Sequence, residues 1–245
     1  MAIRSLLSIA LLGVVLTACN KQTETAPAAP PATPAAPATA QSPALAPPVI
    51  MTGTRADYTI TQTAEGYSLL HKSGKEPAVN VKADQRLRFS DISMSFDKKG
   101  NPGAAYRLYY AAFDRAPDHA GLGFWMKALD SGTSLDAVAG MMLSSAEFSS
   151  TSELKDEALV RRFYKNILRR DGDEAEISFY HGKLNSKKAS RAQVLAEISA
   201  GESAQKADQL GLEKGILYLE EGVKYAPFAG TNADPIIIAA VPGKP

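Results

Sequence analysis

The chain has 245 residues, with 27 Lys and Arg against 26 Asp and Glu and a formal net charge of +1. That balance gives no field over the whole molecule to draw nucleic acid or an anionic surface, so a partner has to be recognised locally. A single cysteine excludes an intrachain disulfide and, within one copy, a multi-thiolate metal site, which leaves stability to packing.

Residues 1–18 carry Arg4 and then an apolar run from Leu6 to Leu16, too short to hold a bilayer as a permanent span. The run reads as a cleavable export signal. It closes on Leu16-Thr17-Ala18-Cys19, which resembles the bacterial lipobox, and Cys19 is the expected lipid attachment site. Triacylation, palmitate included, would hold the mature chain on a membrane without a transmembrane helix, since each buried methylene contributes about 0.8 kcal/mol. Asn20 stands where aspartate would resemble an inner-membrane retention signal, so the expected address is the outer membrane of the cell envelope.

Residues 19–48 are dominated by Ala, Pro, Thr, Ser and Gln, with too little apolar bulk to offset the entropy of ordering them. They are expected to be a disordered tether that, at about 3.1 Å per residue, reaches on the order of 90 Å when extended. Residues 49–100 change character. Tyr58–Thr61, Tyr67–Leu70, Ala78–Val81, Leu87–Phe89 and Ile92–Phe96 are short, β-branched or aromatic, and separated by turn residues. They predict a small antiparallel β meander that needs helices to pack against.

Residues 101–226 predict a mainly α body of tandem three-helix units. Laying one segment on the other at a constant offset matches Tyr109 with Tyr164, Arg115 with Arg170, Asp118 with Asp173, Phe124 with Phe179 and Leu129 with Leu184. The units run over about 105–148 and 157–205. Leu108, Tyr109, Ala112 and Phe113 form the first apolar stripe, and Val160, Phe163, Tyr164 and Ile167 its counterpart. Asp118 and Asp173 stand where helix N-caps are needed; Leu122, Trp125, Met126 and Leu129, or Ile177, Tyr180 and Leu184, line the next helices. Ser134 and Ser190 cap the third pair. A closing helix is expected over about 208–225, from the spacing of Leu212, Ile216, Leu219 and Val223, before an extended tail at 227–245.

Tyr106-Arg107-Leu108-Tyr109, Asp114-Arg115-Ala116-Pro117-Asp118-His119-Ala120-Gly121-Leu122-Gly123-Phe124-Trp125 and Ser144-Ser145-Ala146-Glu147-Phe148 together resemble the bacterial DUF4214 domain. The second copy departs from it with Glu176 in place of glycine and Tyr180 in place of tryptophan. The resemblance implies a fold similar to the phycobilisome linker domain, whose members hold other proteins together. It implies no defined activity.

The chemistry-bearing patterns are sparse. Arg115 with Asp118, and Arg170 with Asp173, suit capping and salt bridging at a turn better than anion or sugar binding. Ala175 breaks the ligand alternation that a calcium loop over Asp171–Glu176 needs. His71, His119 and His181 sit in polar contexts that predict solvated rings, and they lack metal-ligand spacing. A nucleophile elbow, a phosphate loop and a zinc-protease helix are all missing. The expectations are no catalysis, no cofactor, no metal and no nucleic acid. The partners expected are a membrane, through the lipid, and an envelope or secreted protein. The alternative is an anionic glycan held on a basic face that includes Arg161, Arg162, Lys187 and Lys188.

Overall fold

Alternating burial organises the first part of the folded chain into strands. In β2 (Tyr58–Gln62) and β3 (Tyr67–His71), Tyr58, Ile60, Tyr67 and Leu69 turn inward while Thr59 and Leu70 face solvent. The two pair antiparallel, and β3 pairs likewise with β4 (Val79–Val81), which gives the expected meander. The computed structural model describes residues 45–149, 154–206, 210–227 and the strand at 238–239. The export signal, Cys19 and most of the linker lie outside the described residues.

The meander does not continue. β5 (Arg86–Arg88) and β6 (Ser93–Ser95) belong to a second sheet, in which β1 (Val49–Ile50) lies parallel to β5 and β7 (Ile216–Tyr218) lies antiparallel to β6. At the C-terminal end, β8 (Ile238–Ala239) pairs parallel with β2. Both sheets bury one apolar cluster containing Leu69, Leu87, Ile92, Met94 and Phe96. Tyr67 lies flat on Phe96 with ring centroids 3.6 Å apart, which ties the first sheet to the flank of the second.

Two sets of helices follow. The first is α1 (Asn101–Phe113), α2 (His119–Asp130), α3 (Leu135–Leu143) and the single turn α4 (Ala146–Ser149). The second is α5 (Asp156–Leu168), α6 (Glu174–Asn185), α7 (Arg191–Ala200) and the single turn α8 (Glu202–Gln205). α1 and α5 each run 13 residues, α2 and α6 each 12, and both first helices stop at a left-handed residue, Asp114 and Arg169. Matched boundaries and matched terminators make the segments copies of one unit.

The caps are those the residue types dictate. The Asp118 carboxylate accepts from the Gly121 amide at 2.7 Å and Asp173 from the Glu176 amide at 2.8 Å; Ser134 and Ser190 cap α3 and α7. Leu108, Ala112, Val160, Phe163 and Ile167 are fully buried where α1 crosses α5, and Val138 and Val194 where α3 meets α7. The copies meet through equivalent positions. The Asn166 amide donates to the Ala111 carbonyl at 2.8 Å, and Arg169 pairs with Asp114. Arg107, 1 % exposed, donates from α1 to the Ser199 carbonyl near the end of α7 and to the Lys98 carbonyl. The Ser199 carbonyl lies at the negative end of α7, where a cation is favoured.

The closing helix expected over 208–225 is not present. Leu212–Lys214 form a 3-10 turn, Ile216–Tyr218 form β7, and residues 219–227 are irregular. Gly211 and Gly215 take positive φ on either side of the turn, and the open edge of β6 offers backbone partners that a helix would refuse. Leu212 and Ile216 are still buried, so the spacing located the burial and mistook the element. Because β7 completes a sheet begun at β1, the strand region is not confined to residues 49–100.

A polar seam joins that sheet to α2. Arg86 makes a bidentate pair with Asp130 at 2.6 and 2.9 Å, both side chains 13 % exposed, and the Asn101 amide donates to the same carboxylate. Arg88 pairs with Glu220, which also accepts from Ser93 at 2.6 Å. The Leu219 amide donates to the His119 carbonyl at 2.9 Å. Gly123 permits this approach, because a Cβ there would collide with the Leu219 carbonyl.

Candidate interaction surface

In the first copy, the sharp turn from α1 into α2 turns Arg115 back over Tyr109, its guanidinium 4.9 Å from the ring centroid. Its ion partner is Glu147 of α4, with contacts of 2.8 and 3.0 Å. Asp118 is occupied as the cap. The second copy repeats the stack, Arg170 over Tyr164 at 5.6 Å, but Arg170 pairs with Glu176 at 2.7 Å on both nitrogens. The expected pairs Arg115–Asp118 and Arg170–Asp173 are thus corrected: each aspartate faces the helix amides and each arginine reaches a glutamate. The departure at Glu176 has a structural use, since it closes a capping box with Asp173 and replaces the more distant Glu147 as partner. Burial pushes the Tyr109 hydroxyl up to about 12 and raises Tyr164 as well, so both remain neutral phenols. These are braced turns, with their charges satisfied internally.

The basic face of the second copy is largely neutralised. Arg161 pairs with Glu157 and Glu174, each at 3.0 Å; Lys183 pairs with Glu197 and Arg191 with Asp156. Arg162 lies 5.7 Å from the ring centroid of Phe148. Lys187 and Lys188 are exposed, and no ion pair to either occurs among the described residues. Of the four cations proposed for an anionic ligand, the structure leaves these two unpaired at the α6–α7 turn and ties Arg161 to carboxylates. The histidines are half-buried, not solvated as expected: His71 meets Tyr58 edge-on at 4.9 Å, and burial lowers the His119 pKa against the pull of Asp118. Among the described residues, no group of three or more His, Cys, Asp or Glu is placed to hold a metal, and no helix is long and apolar enough to cross a membrane.

Two residues that sequence reasoning matched without assigning a role stand out on the surface. Phe124 is 52 % exposed and Phe179 59 % exposed, at equivalent positions of α2 and α6. Each ring is held edge-on by the next residue, Phe124 on Trp125 at 4.9 Å and Phe179 on Tyr180 at 5.0 Å. Trp125 and Tyr180 in turn pack partly buried against the helical core. The signal was in the sequence: residue 124 falls off the stripe of Leu122, Met126 and Leu129, yet keeps its identity across copies that differ at Gly121 and Glu176.

The family model described as a domain of unknown function, DUF4214, matches residues 104–152 and again residues 139–207. The helical body carries DUF4214. The first match runs from α1 through α4 and the second from within α3 through α8, so the two share the end of α3 and the α4 turn. In both copies the DUF4214 turn is the one that stacks an arginine on a tyrosine and presents the exposed phenylalanine one helix turn later. No curated protein and no solved structure matches the chain.

Proposed function

We propose that the chain is an exported structural or protein-interaction module of the cell envelope, lipid-anchored through Cys19 at the outer membrane and docking a protein partner through its DUF4214 tandem. Catalysis is not part of the proposal. The observation that carries it is the pair Phe124 and Phe179: large, apolar, held rigid by a neighbouring ring, and exposed at one position of both copies. An exposed aromatic anchored in this way loses little side-chain entropy on docking, which favours it as an interface centre. A linker-type fold, which the DUF4214 resemblance implies, would serve the same role of holding other proteins together. The test is in-cell crosslinking with a photoreactive residue placed at 124, at 179 and, as control, at 188. Adducts to a defined protein at the first two positions and none at the third are expected. Adducts no different from those of the control position would remove the proposal.

The address rests on the lipobox-like residues. Cys19→Ser is expected to abolish incorporation of labelled palmitate and to release the protein from the membrane fraction, and persistence of label would contradict it. The second reading, an anionic glycan bound on the basic face, keeps support from the exposed Lys187 and Lys188.

A further inference from the structure

The hydrogen bonds of the first sheet fix which backbone groups of β2 face outward. The Thr63 amide donates to the Gly66 carbonyl and the Lys72 amide to the Asp57 carbonyl, both at 2.8 Å. Between those points an antiparallel ladder alternates, so Thr59 and Thr61 bond to β3, while the N–H and C=O groups of Tyr58, Ile60 and Gln62 point to the outer edge. Tyr58 is served by the preceding turn: its amide donates to the Arg55 carbonyl, and its own carbonyl accepts from the Arg55 guanidinium at 3.3 Å. Ile60 is 1 % exposed, a place where backbone groups need a partner. β8 supplies it, running parallel to β2 with Ile60 opposite Ile238 and Thr61 opposite Ala239.

The sequence treats the two outer strands of the meander differently. β4 is only three residues long and Lys82 follows it directly, and shortness and a lysine both discourage a further strand from joining. β2 is longer, with neither charge nor proline among its five residues, and the Asp57 carboxylate before it is turned back to Thr54. The segment that carries β8 has the matching need. Ile236 to Val241 is an uncharged run of Ile, Ala and Val, closed by Pro235 and Pro242. A run of that composition pairs readily with any open strand edge, and the flanking prolines, which have no N–H to give a ladder, limit the pairing to about the length of β2.

We infer that the outer edge of β2 is a docking site for an extended, uncharged, β-branched segment lying parallel to it, and that residues 236–241 of the same chain are its resident occupant. Such a site takes a strand by its backbone, through main-chain hydrogen bonds. It lies in the first sheet and does not depend on Phe124 or Phe179.

The experiment is amide hydrogen exchange, read by NMR on the intact chain, with Ile238→Asp/Ala239→Pro as the variant that empties the edge. Exchange at Ile60 and Gln62 should speed up about tenfold or more, while Thr59 and Thr61, bonded to β3, stay protected and report that the sheet is folded. Ile238→Asp alone is the milder variant and should give the same pattern to a smaller degree. A synthetic peptide of residues 234–244, added to the double variant, should restore protection saturably, and the same peptide with Ala239→Pro should not. Unchanged exchange at Ile60 and Gln62 in both variants, or no restoration by the peptide, would overturn the inference. Equal loss at Thr59 and Thr61 in the milder variant would also overturn it, by making β8 a part of the sheet and not the occupant of a site. So would restoration by the proline peptide, or dimerisation of the double variant with the peptide excluded, which would put a second copy on the edge.

Discussion

Gly123 allows a close backbone approach that any Cβ would block, and Arg107 donates to two carbonyls from a buried position. At Gly123, alanine would bring a helix-propensity gain of about 1 kcal/mol, but its Cβ would meet the Leu219 carbonyl, and overpacking against backbone costs about 1–3 kcal/mol. Gly123→Ala is therefore expected to lower the melting temperature, whereas Gly132→Ala, with open space beside it, tests only its positive φ. Arg107→Met would orphan the Ser199 and Lys98 carbonyls, at about 1–3 kcal/mol for a buried group left unpaired. Its equivalent in the second copy, Arg162, is only half-buried, so Arg162→Met should cost less; equal losses in denaturant titration would contradict the bracing role of Arg107. His119 gives a pH signature. Its folded pKa lies below its ordinary value of 6.5 because of burial, so protonation favours the unfolded chain, and stability falls as pH drops through 6.5 toward the folded value. Glu176, held below its usual 4.5 by Arg170, contributes stability that is lost only as pH falls below 4.5. His119→Gln should flatten the first decline and leave the second, as read by melting temperature from pH 7 to pH 4.

At the scale of elements, local chemistry was legible and long-range pairing was not. The caps Asp118, Asp173, Ser134 and Ser190 and the stripes through Leu108 and Val160 follow from residue type and period, because a helix satisfies its backbone internally. The stretch after Leu210 was misread because Leu212, Ile216 and Leu219 fit a helical spacing, while the pairing that decides the matter comes from β6, more than a hundred residues earlier. Arg115 and Arg170 show the same limit. Their role at the turn was visible, but Glu147 and Glu176 become partners only once α4 and α6 are placed. Both pairs are substantially exposed, so double-mutant cycles should return no more than about 1 kcal/mol. The Arg86–Asp130 pair is much less exposed and bidentate, so Asp130→Asn should cost toward about 3 kcal/mol by leaving a shielded guanidinium without its counterion.

At the scale of the molecule, the strand after the second copy is the stitch. β7 buries Ile216 and Tyr218 among the helices and turns Leu217 toward the strand cluster, so one short segment serves both cores. A chain ending at Gly215 should lose protection of the Arg86–Ser95 hairpin in limited proteolysis, and an unchanged digestion pattern would contradict that role. Two exposed aromatic side chains at equivalent positions, Phe124 and Phe179, are what the tandem presents outward in both copies. Recovery of the crosslinked partner, compared between Phe124→Ser/Phe179→Ser and Arg161→Glu/Lys187→Glu/Lys188→Glu, tests the docking claim most directly. Loss in the aromatic pair with retention in the charge-reversed protein is the expected result. Retention in the first and loss in the second would contradict it and move the contact to the basic turn.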